Sequence, residues 1–142
     1  MFSKEESRII RQTFWTSFGK SFPRKWILYN TTIKGLIFKF HFDTKSALIA
    51  LDLEGDVENR IIHWEKLLAL QPILKNEYLP DAIFEDTYFL ENGKEISRIY
   101  LSLEQKVSIH NKNNWQDVMV FFNTNMSLFE AFFEEYNDII RR

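Results

Sequence analysis

Leu36, Phe38, Phe40 and Phe42 recur at every second position, Asp43-Thr44-Lys45 turns the chain, and Ala47, Ile49, Leu51 and Leu53 keep the same period on the way back. A period of two puts successive side chains on opposite faces of a strand, so residues 35–54 are expected to form a hairpin with one buried face. A second pair of runs, Ala82 to Leu90 and Glu95 to Leu103, flanks Asn92-Gly93. Both residues of that dipeptide tolerate positive φ, which is what a tight hairpin turn demands. Val107 to Ile109 is short and apolar enough for a fifth strand. Two local hairpins already commit the chain to antiparallel pairing.

Helical periods fill the rest. Ser3 with Glu6 three residues on has the pattern of a capping box, and Ile10, Phe14 and Phe18 come next at a spacing of four, with Gly19 as the expected stop. Asp56 is placed to cap a helix carrying Val57, Ile61, Trp64, Leu67, Leu68 and Leu74, which Pro72 should kink or split before Tyr78. Asn114 is placed to cap a last helix from Trp115 nearly to Arg142. The expected fold is therefore α+β: an N-terminal helix followed by two ββα units, an antiparallel sheet of four to five strands with helices packed on one face, and a long C-terminal helix. At 142 residues the chain has the length of one domain, spanning 1–142.

Several chemistries drop out. No cysteine is present, which removes thiolate metal sites and cysteine nucleophiles. The four glycines never come closer than 16 residues, so no phosphate-cradling loop is built and nucleoside triphosphates are not expected. His41, His63 and His110 fall on three different segments without metal-ligand spacing, and no cofactor or metal is expected. The N-terminus reaches mixed charge at once and no long apolar run occurs after it, so the expectation is a cytoplasmic protein without a membrane partner.

Charge is unevenly distributed. Residues 1–45 carry nine Lys or Arg against three acids, a balance of +6, while the remainder is −8. Within the basic part, Lys20, Arg24 and Lys25 are interleaved with Phe22 and Trp26, and Tyr29 lies just beyond. Cations attract phosphates and exposed rings stack on bases, so Lys20, Arg24, Lys25, Trp26 and Tyr29 are the candidate nucleic-acid contacts. The competing expectation is that the rings enter the core and the cations solvate the surface. Asp52, Glu54, Asp56 and Glu58, like Glu130, Glu134 and Glu135, read as solvating acids.

Pro80-Asp81 followed by Glu104-Gln105-Lys106 resembles the spacing in which two acids hold a divalent metal and a lysine assists water attack. Asp81 opens one strand and Glu104 closes its hairpin partner, so pairing brings them to one end. Asp81, Glu104 and Lys106 are the alternative catalytic candidates, although Glu-x-Lys arises readily by chance in a chain with 27% charged residues.

The last helix has two apolar stripes on about 27 residues, spanning ~40 Å. Trp115, Val118, Phe122, Met126, Phe129, Phe133, Tyr136 and Ile140 form one, enough to seat it on a sheet. Phe121, Leu128, Phe132 and Ile139 form another. Either the first helix covers this second stripe, or it pairs across the two-fold axis of a homodimer.

Phe14-Trp15-Thr16-Ser17-Phe18, Gly35 opening a hairpin, Tyr88 to Tyr100 around Asn92-Gly93, and Ile109 to Trp115 with the aromatic terminal helix resemble a bacterial family known as domain of unknown function 4268. The resemblance runs over nearly the whole chain. Members occur alone or as the C-terminal part of longer proteins whose preceding segment is nuclease-like. That implies an accessory role near nucleic-acid processing and carries no catalytic residue over. The expectation is a non-catalytic binding or dimerisation module, the alternatives being a divalent-metal nuclease or a protein-interaction subunit using the C-terminal helix.

Overall fold

The computed structural model describes residues 2–142. Its elements run α1 (Lys4–Ser21), β1 (Leu36–Phe42), β2 (Ala47–Leu53), α2 (Val57–Ala69), α3 (Gln71–Glu77), β3 (Ile83–Phe89), β4 (Glu95–Ser102) and α4 (Trp115–Arg141). Both hairpins and all the expected helices are present. The four strands form one antiparallel sheet in the order β1-β2-β4-β3, so β2 and β4 are central while β1 and β3 are the edges.

Local chemistry explains most of the boundaries. The Ser3 side chain accepts from the Glu6 N–H and Glu6 reaches back to the Ser3 N–H, closing the capping box at the start of α1. Asp56 accepts from the Asn59 N–H and starts α2. Pro72 divides the next helix into α2 and α3: a proline has no N–H to donate, and the first turn of a new helix is where that loss matters least.

Three expectations fail. Gly19 does not stop α1, which runs on to Ser21 because Phe22 keeps a backbone bond to the Phe18 carbonyl. Residues 107–109 form no strand, since Val107 and Ile109 are buried as irregular chain and the Ile109 N–H donates to the Asp43 carbonyl at the β1–β2 turn. Asn114 does not cap α4. Its side chain accepts instead from the Ser108 N–H, and Asn111 caps a short 3₁₀ turn that leads into the helix.

All four helices pack on one face of the sheet. That face carries Leu36, Phe38 and Phe42 of β1, Ala47, Ile49, Leu51 and Leu53 of β2, and Ile99 of β4, in one cluster with Phe14, Trp64, Leu74 and the inner stripe of α4. Rings dominate it: Phe122 lies within 4.9–6.3 Å of Phe14, Trp15, Phe18 and Phe40, mostly tilted or edge-on. The opposite face has no helix over it, yet Leu48, Ala50, Asp52 and Ile96 are buried there. Long neighbouring side chains close over them.

Candidate functional site

Edge strands and unpartnered apolar residues are where a small α+β domain presents itself to other molecules, and both converge on α2 and β3. Positions 57, 61, 64 and 68 share one stripe of α2. Trp64 turns inward against Phe84 of β3 at 5.8 Å, whereas Val57, Ile61 and Leu68 stay exposed, Val57 by 58% and Ile61 by 50%. Phe89 of β3 is exposed on the same face of the sheet, whereas exposed Ile83, opposite Tyr100, belongs to the helix-free face and Ile62 lies about 140° around α2 from Val57. Between the two elements lies a cleft of about 390 Å³ lined by Trp64, Leu68, Phe84, Glu85, Asp86 and Thr87. The Trp64 indole Nε1 is buried without a hydrogen-bond partner.

Backbone polarity along β3 is set by pairing. The Phe38 N–H donates outward to the Leu28 carbonyl, so Ile37, Lys39 and His41 are the β1 residues bonded to β2. Carrying the alternation across β2 and β4 makes Ile83–Tyr100 and Glu85–Arg98 the bonded pairs of β3 with β4. Phe84 therefore directs its N–H and C=O away from the sheet, at the cleft. Beyond it, Asp86 and Thr87 bulge against Ser97, whose hydroxyl donates to the Asp86 carbonyl at 2.6 Å.

Asp81 and Glu104 line the same cleft, about 620 Å³, with Ser102, Gln105, Phe121 and Asn125. Lys106 does not line it. Both carboxylates are exposed, and among the described residues no group of three His, Asp or Glu is placed to hold a metal ion.

The basic segment is mostly engaged within the fold. Arg24 donates to Glu130 at 2.8 Å and to Ser127 at 2.9 Å, with its guanidinium 4.5 Å from the centre of the Trp26 ring. Trp26 itself stacks on Phe18 and meets Phe40 edge-on, so its ring is packed largely within the fold. Lys20 and Lys25 are exposed, as is Tyr29 at 77%.

The second stripe of α4 also divides. Phe132 is fully buried against Tyr78, next to α3, so it cannot face a second subunit, and it is Tyr78 rather than α1 that covers it. Phe121 is half-buried, while Leu128 and Ile139 are exposed.

Two acids read as solvating are buried. Glu130 accepts from Arg24 and, at 2.6 Å, from the Ile27 N–H. Asp52 is fully enclosed on the helix-free face, where Arg98 grips both its oxygens at 2.7 and 2.9 Å and Lys39 adds a contact at 2.9 Å. Burial works against the Arg98 charge, but Asp52 outweighs it and holds the guanidinium above its ordinary value. The Tyr88 ring covers Arg98 at 4.3 Å. The one sequence signal for this burial is that Asp52 alternates with Ala50 and Leu48 on a central strand.

A family model, the domain of unknown function DUF4268, matches residues 10–137. The chain belongs to this family. The match takes in every strand and all of α2 and α3, so the α2–β3 surface lies inside the family's domain. No curated protein and no solved structure matches the chain beyond chance. Among the described residues, no helix is long and apolar enough to cross a membrane.

Proposed function

We propose that this member of the DUF4268 family is a non-catalytic module that binds another protein through the surface formed by α2 and β3. The carrying observation is the exposed apolar stripe Val57, Ile61 and Leu68 of α2, with Phe89 exposed on the same face of the neighbouring β3. Scattered apolar residues need no explanation, but four sharing one face of two adjoining elements make a patch of the kind that marks an interaction site. The side chains are not needed by the core, whose own cluster is complete without them.

The test is the double variant Ile61→Lys, Leu68→Lys. Its unfolding midpoint is expected to stay close to the wild type's, because both side chains are exposed and outside the core cluster. Proteins that co-purify with the tagged wild-type chain from its native cells are expected to be absent from the variant. Identical retained sets would overturn the reading.

An accessory role near nucleic-acid processing is the finer form of the proposal. Its support is the exposed set Lys20, Lys25 and Tyr29, and its test is fluorescence anisotropy of labelled DNA and RNA at two salt concentrations. Binding that weakens with salt supports it, and no binding at low salt removes it. A homodimer through α4 is a second reading, favoured by Leu128 and Ile139, which stay exposed on one side of the helix. A monomeric mass by light scattering at micromolar concentration would end it.

A further inference from the structure

We infer that the β3 edge takes up an extended segment of the partner protein as an added strand, and that this segment carries basic residues beside apolar ones. The inference rests on the protein-binding reading above and deepens it.

Three observations meet at one place. Phe84 turns its backbone N–H and C=O away from β4, so one residue of β3 offers a donor and an acceptor to an incoming strand. The cleft of about 390 Å³ lies at this position, with Trp64 and Leu68 of α2 among its walls. Of the two acids lining the cleft, Glu85 accepts from the Tyr100 hydroxyl at 2.9 Å on the helix-free side, which leaves Asp86, and no basic residue lines the cleft, so the charge there favours a positively charged occupant.

The opposite edge shows what a satisfied one looks like. Leu28 supplies its carbonyl to the outward Phe38 N–H of β1, and Trp26 packs on Phe40 beside it. Nothing among the described residues does the same for Phe84. A second copy of this chain is a poor occupant, because antiparallel pairing of β3 with itself brings its acids, Glu85 and Asp86, towards those of the other strand. The bulge at Asp86 and Thr87 interrupts the edge after Glu85, so the added strand is short and the contact weak and reversible.

The experiment uses labelled peptides of about ten residues, long enough to cross the edge as a strand, and the intact protein. One peptide alternates Lys and Val and one alternates Glu and Val; two further Lys-Val peptides are N-methylated at odd or at even amides. Binding is read by anisotropy, and the Trp64 indole N–H is followed by nitrogen-15 NMR, assigned with Trp64→Phe. The Lys-Val peptide is expected to bind and to move the Trp64 resonance, and Asp86→Lys is expected to weaken it about tenfold, the scale of one lost charge-assisted contact. Methylation of one alternate set should abolish binding while the other is tolerated, the signature of a strand bonded along one side.

Equal binding of the Glu-Val peptide, equal tolerance of both methylated sets, or an unmoved Trp64 resonance would each overturn the inference. Failure here, with Ile61→Lys, Leu68→Lys still losing cellular partners, removes strand addition and leaves the protein-binding reading standing. Failure of that pair removes both.

Discussion

The two hairpins have the same connectivity and opposite degrees of enclosure. Every residue of β2 is buried, and β1 keeps Leu36, Phe38 and Phe42 in the core while the segment around Trp26 to Leu28 covers its edge. No residue of β3 is buried, and its partner β4 is buried only from Ile96 to Ile99. The difference lies in the helices that pack beside each hairpin. The first sits between α1 and the long α4, which both contribute rings to its face. The second has the modest α2 beside β3, with α4 reaching only the Leu101–Ser102 end of β4, and α2 leaves its own stripe exposed. One hairpin is scaffold and the other is surface, and substitutions at matched positions separate the two.

The widest gap is expected between Phe38→Ala and Phe89→Ala. Phe38 is enclosed by Phe129 and Phe133 at 5.4 and 5.6 Å, and removing it leaves a cavity that should cost about 3–5 kcal/mol in a urea titration. Phe89 is 63% exposed, and its removal should change stability by less than about 0.5 kcal/mol. Similar losses at both would mean that β3 carries as much of the fold as β1.

Next come the glycines. Gly35 has φ +85° and a Cβ built there would stand 2.4 Å from the Glu54 carbonyl oxygen, at the open end of the first hairpin. Gly35→Ala therefore meets a backbone clash as well as an unfavourable φ, and about 2–3 kcal/mol is expected. Gly93, at the second turn, has nearly the same φ, +86°, but nothing within 4 Å, so Gly93→Ala should lose only about 1 kcal/mol. Equal costs would show that the close approach to Glu54 relaxes freely.

A third pair compares the ion pair that fastens the loop over β1 to α4 with the one that ties the second hairpin to α2. Glu130→Ala strips the Ile27 N–H and Arg24 of their acceptor inside the fold, with an expected loss of about 2 kcal/mol. Glu95, paired with Arg60 of α2 at 2.5 Å, is substantially exposed, and Glu95→Ala should cost below about 1 kcal/mol. Thermal unfolding of both variants decides whether the loop over β1 is fastened as the geometry requires.

The same contrast explains what could be read from residue order. Periods of two, the Asn-Gly turn, the split at Pro72 and the capping box are local, and each appeared where the pattern put it. Strand order was not local: β2 meets β4 rather than β3, and that neighbour encloses Asp52 with an arginine 46 residues away. Glu130 likewise finds its partners 103 and 106 residues distant, so its spacing on α4 looked like that of any solvated acid. Arg24 and Trp26 were legible as a cation–aromatic cluster, but not as one that closes on itself. The α2 surface was missed for a related reason. Val57, Ile61 and Leu68 have a core helix's period, and only the packing of Trp64 shows that the stripe is half used.

The smallest effect is the response to pH, and it sets the hairpins at opposite ends of the scale. At the β1–β2 turn, burial raises the Asp43 carboxyl, but the Lys45 N–H, His41 and the Ser46 N–H together hold it below its usual 3.8. Folding thus favours the ionised form, so its contribution is present above that value and is lost as pH falls through the lower folded one. On the second hairpin, burial and then the bond to Glu85 push the Tyr100 phenol from 10.0 up to about 12. Folding there favours the protonated form, so the contribution is complete below pH 10 and disappears as pH rises towards 12. Tyr100→Phe keeps the ring and has no proton to lose, so its stability should fall less steeply than the wild type's between those limits, while its acid limb is unchanged. Asp43→Asn should do the reverse. Parallel alkaline limbs for Tyr100→Phe and the wild type would place the phenol in water, and with it the β3–β4 contact through Glu85.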